Sequence, residues 1–311
     1  VESPTKTEFH SSNKSSEPGT HSIPNKRSSL QTIFNVSNTM MGSALLVTPC
    51  NFYSSGLISS ILVSILIAAI CYWTANLMVM HSRDDEYDYT LALKRIVGKN
   101  WESIFNGSSA VLLLVVGIID FMLVCNIVYS ILITLSQTTE GWPAFDEVNF
   151  SCFSIQYVGV ILFFIYILIC NTSNIDNILK MNEKGVYFIF LFIIYIIYLG
   201  FDSLSRGNLE FAFTGKPGTG KRGLEIVLFG SDLSQLIGVF SLAYSIHSAI
   251  CGIMKGNKDS SKNSRDLFFA YILVFLKYTT LGVFGSFAFA GLYNSWYEKF
   301  DKPPKNLMLL F

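Results

Sequence analysis

Charge is what this sequence has least of. Of its 311 residues, 14% are Asp, Glu, Lys or Arg and 51% are apolar, where a soluble domain carries about 25% charged residues. The shortage is concentrated: between Arg27 and Arg83 none of the four occurs. Such a stretch is far too long for one buried core helix and long enough for two crossings of a bilayer, at about 20 residues each. Phe and Tyr are abundant, as lipid-facing helices and interfacial belts allow.

Other absences remove whole classes of function. Lys plus Arg equals Asp plus Glu at 22 each, so net charge points to no nucleic-acid partner. No CxxC and no Cys/His spacing suggests a metal site. Of Cys50, Cys71, Cys125, Cys152, Cys170 and Cys251, only Cys152 stands in a polar loop; the others behave as small hydrophobes. Nucleophile elbow and zinc motif are both missing. Gly215 to Lys221 has the spacing of a phosphate loop, but Arg222 stands where Ser or Thr must hold magnesium, and no strand is expected before it. An enzyme is therefore not expected, and neither is a bound cofactor. Residues 1–27 have no apolar core and are not a signal peptide; rich in Ser, they read as a disordered cytosolic tail.

Seven spans are expected in a transmembrane domain over 28–311, at about 30–50, 57–80, 104–136, 156–170, 185–201, 233–254 and 267–292. A charged loop lies at 83–99 and polar loops at 137–155 and 202–231. The final Asn306 to Phe311 look like the start of an eighth span, so the chain reads as truncated there. The first span is the most polar, with Asn35, Ser37, Asn38, Thr39, Gly42, Ser43 and Pro49. Irregular backbone at membrane depth survives only where protein covers it or a cavity borders it. This span is therefore expected to be broken and to line something.

Loop charge sets orientation. With the tail in the cytosol, fourteen of the 22 Lys and Arg lie on its side and seven opposite, with Lys277 inside a span. The sequon Asn149-Phe150-Ser151 then faces the lumen or exterior as a glycosylation candidate, while those at Asn13, Asn106 and Asn171 face the cytosol.

Two strings carry a resemblance. The first is Asn38-Thr-Met-Met-Gly42 within Ser28 to Leu46. The second is Ser241-Leu-Ala-Tyr-Ser-Ile-His247, followed by Lys255-Gly-Asn-Lys and Arg265 to Val274. In this order they resemble the amino acid/auxin permease family, in particular its lysosomal, arginine-gated branch. The likeness is specific over about 28–52 and 232–292; between these only the span pattern agrees. It implies an all-α transmembrane protein with part of the five-plus-five inverted-repeat (LeuT-type) transporter fold.

In such a fold substrate binds near the midplane, at interrupted helices whose ends and unwound backbone receive the charged groups of an amino acid. The resemblance implies substrate contacts at Thr39, Met40, Met41, Gly42 and Ser43, with Gly42 permitting close approach and unusual backbone angles. It places Asn38 at a position associated with sodium, and Ser241 and Ser245 opposite the first break. Packing of Gly42 as a helix seam is the plainer alternative, and His247 is read as a satisfied interhelical histidine. Asp120 and Lys277 are lone charges within spans, and ionisable groups there are costly and often functional. Their matching depth allows an ion pair.

The function expected is secondary transport of amino acids across a lysosomal or vacuolar membrane, with sodium or a proton as the coupling ion. The alternatives are an amino-acid sensor whose tail meets a growth-control GTPase complex, and a seven-span receptor, which the cytosolic N-terminus disfavours.

Overall fold

The computed structural model describes residues 27–83, 89–136, 153–171, 175–207, 209–215 and 224–293. The tail before Arg27, the sequon at Asn149, Cys152 and the segment after 293 lie outside them. Five helical stretches among the described residues are long and apolar enough to cross a membrane: Leu57–His81, Asn100–Leu135, Gly185–Ser205, Ser234–Lys255 and Ser260–Ala288.

The charge-free stretch forms three helices. Ser28 starts α1 (Ser29–Met40) with a capping box, its side chain accepting from the Gln31 N–H while the Gln31 side chain accepts from the Ser28 N–H. The helix is then interrupted over Met41 to Ser43, with Met41 extended, and resumes as α2 (Ala44–Ser55). Gly56 turns the chain at φ +84°, a conformation that costs glycine little, and leads to α3 (Leu57–His81).

The expected charged loop holds a short amphipathic helix, α4 (Tyr89–Val97). Arg95 donates to the His81 carbonyl at 2.7 Å and Lys94 pairs with Glu102 at 3.1 Å, so α4 bridges α3 and α5 (Lys99–Ser136). At about 1.5 Å per residue α5 rises roughly 57 Å, well beyond a hydrocarbon layer of about 30 Å. Two more apolar helices come next in the chain, α6 (Ile155–Cys170) and α7 (Ile175–Ser205). Their outward residues, such as Phe164, Leu168 and Phe188, are exposed, as lipid-facing positions would be.

The segment 202–231, expected as a loop, contains two strands. Leu209–Thr214 (β1) and Leu224–Phe229 (β2) pair in parallel, with Leu209 opposite Leu224. A strand thus precedes Gly215 after all. The Gly215 to Lys221 run leads into a second strand rather than the helix that a phosphate loop opens, and Arg222 still lacks the hydroxyl. The end of β2 anchors the α2–α3 turn: the Gly230 N–H donates to the Ser55 carbonyl at 3.1 Å, and Ser55 Oγ donates to the Asp232 carbonyl at 2.6 Å.

The stretch expected as one span at 233–254 is also interrupted. It forms α8 (Ser234–Ala243) and α9 (His247–Lys255), separated by Tyr244 to Ile246. A 3-10 turn at Ser260–Lys262 precedes α10 (Asn263–Ala288).

Helix α10 is the hub, packed on α1, α2, α3 and α7. Its approach to α2 is set by two glycines. A Cβ at Gly282 would sit 2.5 Å from the Phe52 ring, and one at Gly285 would sit 2.6 Å from Pro49. Small residues at this seam let the two helices come close where no hydrophobic drive separates lipid from protein. The core around it is aromatic: Phe52, Phe240, Tyr244, Tyr271 and Tyr278 are all buried.

Candidate functional site

Interrupting a helix frees carbonyls at the end of its first half and N–H groups at the start of its second. The first interruption leaves Met41 extended at φ −87° and ψ 102°, its N–H donating to the Asn38 carbonyl at 3.1 Å. Helix α2 begins at Ser43 with no side-chain cap. The second leaves Ile246 at φ −115° and ψ 8°, and α9 also begins without a side-chain cap. Each break therefore presents a partly negative carbonyl end and a partly positive amide end.

Helix α10 ties both breaks together. Tyr278 donates its hydroxyl to the Met40 carbonyl at 3.1 Å, and Tyr271 donates to the Tyr244 carbonyl at 3.0 Å. These tyrosines are two turns apart on one helix, about 10.5 Å along its axis. The Tyr244 ring lies between them, stacked on Tyr271 with centroids 6.3 Å apart and edge-on to Tyr278 at 5.7 Å. The Tyr244 hydroxyl shares a hydrogen bond of 2.8 Å with Ser64 on α3. One helix face thus holds the terminal carbonyls of α1 and α8 through hydroxyl donors.

The residues of the first break divide by exposure. Asn38 and Met40 are buried, Met41 and Ser43 are half-buried, and Thr39 and Gly42 are exposed. The Thr39 hydroxyl donates to the Asn35 carbonyl at 2.8 Å, closing on its own helix. The φ of Gly42 is not positive, and a Cβ there would meet nothing within 4 Å. Neither a positive φ nor a packing seam accounts for this glycine: it faces open space.

At the second break Ser241 and Ser245 are exposed. Ser245, His247 and Ser248 border a cavity of about 560 Å³ whose walls include Leu77, Phe105 and Leu112. Thr39 and Gly42 do not line this cavity. His247 is held across the helix interface, its Nε2 2.8 Å from the Thr74 hydroxyl. Because that hydroxyl also lies within donor range of the Ile70 and Cys71 carbonyls, the consistent assignment has His247 Nε2–H donating to Thr74.

The lone charges do not meet as expected. Among the described residues no ion pair joins Asp120 and Lys277. Asp120 is half-buried on α5, whereas Lys277, 4% exposed on α10, donates to Ser37 Oγ at 2.9 Å and lies 4.8 Å from the centre of the Phe190 ring. Equal depth in a span does not determine which way a side chain faces, and α10 turns Lys277 toward α1. Sequence reasoning also passed over Tyr244, Tyr271 and Tyr278. The seven-residue spacing of Tyr271 and Tyr278 on one face was the available signal, but it is equally the spacing of an ordinary core stripe.

Known proteins resemble this chain in sequence. The chain is 25% identical over 312 residues to the neutral amino acid transporter 9 of Rattus norvegicus, covering 84% of this chain and 54% of that protein. It is 22% identical over 315 residues to the sodium-coupled neutral amino acid transporter 9 homolog of Caenorhabditis elegans, covering 84% and 50%. With the neutral amino acid transporter 9 of Danio rerio, identity is 47% over 55 residues, 18% of this chain and 10% of that one. The chain spans about half the length of the first two of these curated relatives. The model of the transmembrane amino acid transporter protein family matches residues 25–292. That match runs from just before α1 to beyond α10 and takes in both interrupted helices, so the chain belongs to the transmembrane amino acid transporter protein family.

Proposed function

We propose that this multi-pass membrane chain forms the substrate-binding part of a secondary active transporter of amino acids, working across a lysosomal or vacuolar membrane with its N-terminus in the cytosol. One observation carries the proposal: two helix breaks, each with an uncapped amide end, are held against a single helix by the hydroxyls of Tyr278 and Tyr271. A zwitterion needs N–H groups for its carboxylate and carbonyls for its ammonium, away from bulk water, and paired breaks offer both. On this reading Thr39, Met40, Met41, Gly42 and Ser43 form one wall of the site and Ser241 and Ser245 the other. The relatives' names make neutral amino acids the first substrates to assay. Transport moves a substrate without altering it, so no catalytic residue is assigned.

The test is uptake of labelled leucine, glutamine and arginine into liposomes by the full natural protein that contains this chain. A Gly42→Trp variant places a bulky ring at the first break, where a Cβ meets no neighbour within 4 Å. Uptake by the parent and its loss in the variant, at equal folding, support the site. Equal uptake by both would move the site away from this break.

A specific contact favours a second role as an amino-acid sensor. The Arg27 N–H donates to the Gly256 carbonyl at 2.7 Å and the Lys258 N–H to the Arg27 carbonyl at 2.8 Å. The chain entering α1 is thereby hooked to the turn after α9, so rearrangement at either break reaches the base of the tail. A growth-control GTPase complex is the proposed cytosolic partner. Capture of that complex by the tail, altered by amino acid, supports the role; capture indifferent to amino acid argues against it.

A further inference from the structure

Lys277 is the unusual group in this bundle. The residue is 4% exposed in the middle of α10, and its ammonium donates to Ser37 Oγ on α1 at 2.9 Å. The Phe190 ring of α7 lies 4.8 Å away and offers its negative face to the cation. A buried charge with only neutral partners is expensive and is retained at ionisable sites of pumps and transporters more often than in plain scaffolds.

The helices packed on α10 supply no anion to it among the described residues. Helices α1 and α2 contain no Asp or Glu; the titratable groups of α2 are Cys50 and Tyr53, and the Tyr53 ring packs at a tilt against Tyr293. On α3 the titratable groups are Cys71, Tyr72 and His81, of which Tyr72 contacts Phe268 and Tyr271. The described side chains of α7 include one acid, Asp202, engaged by Arg206 at the exposed end, and the exposed Tyr187, Tyr195 and Tyr198. On α10 itself Asp266 is bound by Asn257 and Arg265 near the helix start, and Tyr271 and Tyr278 are committed to carbonyls. The nearby Tyr244 hydroxyl is paired with Ser64.

We propose that Lys277 is the proton-carrying group of this transporter, so that amino acid movement is coupled to protons and needs no sodium ion at Asn38. The inference rests on the transport reading above. In the arrangement seen, α1 covers the ammonium and also forms one wall of the substrate site. The amine exchanges its proton with water only when α1 moves away from α10, a movement that also displaces the substrate wall at the end of that helix. One element, α1, then governs both proton exchange and the substrate wall, which is what obligatory coupling requires. The exchange is Lys277–NH₃⁺ to Lys277–NH₂ with one proton delivered to water. The neutral amine then accepts from the Ser37 hydroxyl where the ammonium donated to it, so the pair survives without its charge.

The experiment uses the full natural protein in liposomes, its orientation in the bilayer determined. Leucine and glutamine accumulation is measured under a pH gradient with sodium replaced by N-methylglucamine, and under a sodium gradient at equal pH. Counterflow of the same amino acids without any gradient reports transport alone. The parent should accumulate substrate up to about tenfold per pH unit at one proton per substrate, since each 1.4 kcal/mol is tenfold, and should ignore sodium. Lys277→Met and Lys277→Arg should retain counterflow and lose accumulation, Met because no proton is carried and Arg because its charge is never given up. Both are checked for a single folded species by gel filtration. If either variant accumulates like the parent under the pH gradient, or if the parent requires sodium, the proposal is overturned. An absence of counterflow in the parent would instead remove the transport reading, and this proposal with it.

Discussion

Tyr278, in the middle of α10, donates its hydroxyl to the carbonyl of Met40, the last residue of α1, across 3.1 Å. The two residues are 238 positions apart, and the bond falls at the point where α1 stops being a helix. A carbonyl freed by a helix break inside a bundle must find a donor, and here α10 supplies it.

Removing that donor should loosen the break while leaving the ring in place. Tyr278→Phe leaves a buried carbonyl unsatisfied, at a cost of about 1–3 kcal/mol. Thermal unfolding in detergent should show a lower midpoint for Tyr278→Phe and for Tyr271→Phe. Unchanged midpoints in both would mean that the hydroxyls do not hold the broken ends.

Two glycines should respond oppositely to one methyl group. Gly282→Ala forces its Cβ into the Phe52 ring, an overpacking that costs about 1–3 kcal/mol. Gly42→Ala meets no neighbour and should stay within about 0.5 kcal/mol of the parent. Parallel melting curves check the contrast, and a large loss at Gly42 would show that its surroundings are closed.

The cavity at the second break is open to a blocking test. Ser245→Phe should fill part of the space bordered by His247 and Ser248 and reduce uptake by at least tenfold, about 1.4 kcal/mol of lost binding. Because Ser245 is exposed, gel-filtration behaviour should not change. Undiminished uptake would show that substrate does not pass this cavity.

Acidity in the range of an organelle lumen should leave the α9–α10 turn intact. The Lys262 and Ser261 side chains hold the Asp259 carboxyl below its ordinary 3.8, at about 2. A depressed carboxylate contributes stability that is present above the unfolded value and lost as pH falls from about 3.8 toward about 2. The difference in melting midpoint between parent and Asp259→Asn should therefore be the same at pH 7 and pH 5. A difference that shrinks by pH 5 would contradict the depressed carboxyl.

Much of the first break was legible. A charge-free run holding Asn38, Thr39, Gly42, Ser43 and Pro49 cannot stay an unbroken lipid-facing helix without covering its polar groups, and the helix is interrupted over Met41 to Ser43. Ser245 was named, yet the interruption around it at Tyr244 to Ile246 was not expected, since Leu-Ala-Tyr-Ser-Ile carries no proline or glycine. The strands β1 and β2 were missed because a loop rich in Gly and Lys hides two short runs whose pairing depends on each other across the connection.

The amino-acid sequence by itself determined that this chain is built of apolar membrane-length helices, because scarcity and placement of charge are one-dimensional properties. It also carried the two strings that place the chain in its family. Tertiary structure alone decided the partners: Lys277 with Ser37 rather than Asp120, Tyr278 with Met40, Tyr271 with Tyr244. A sequence gives the depth of a residue along its helix to within about a turn, or 5.4 Å, whereas a hydrogen bond demands a separation near 3 Å and the correct face. Only the packing of α10 against α1 and α8 supplies that rotation.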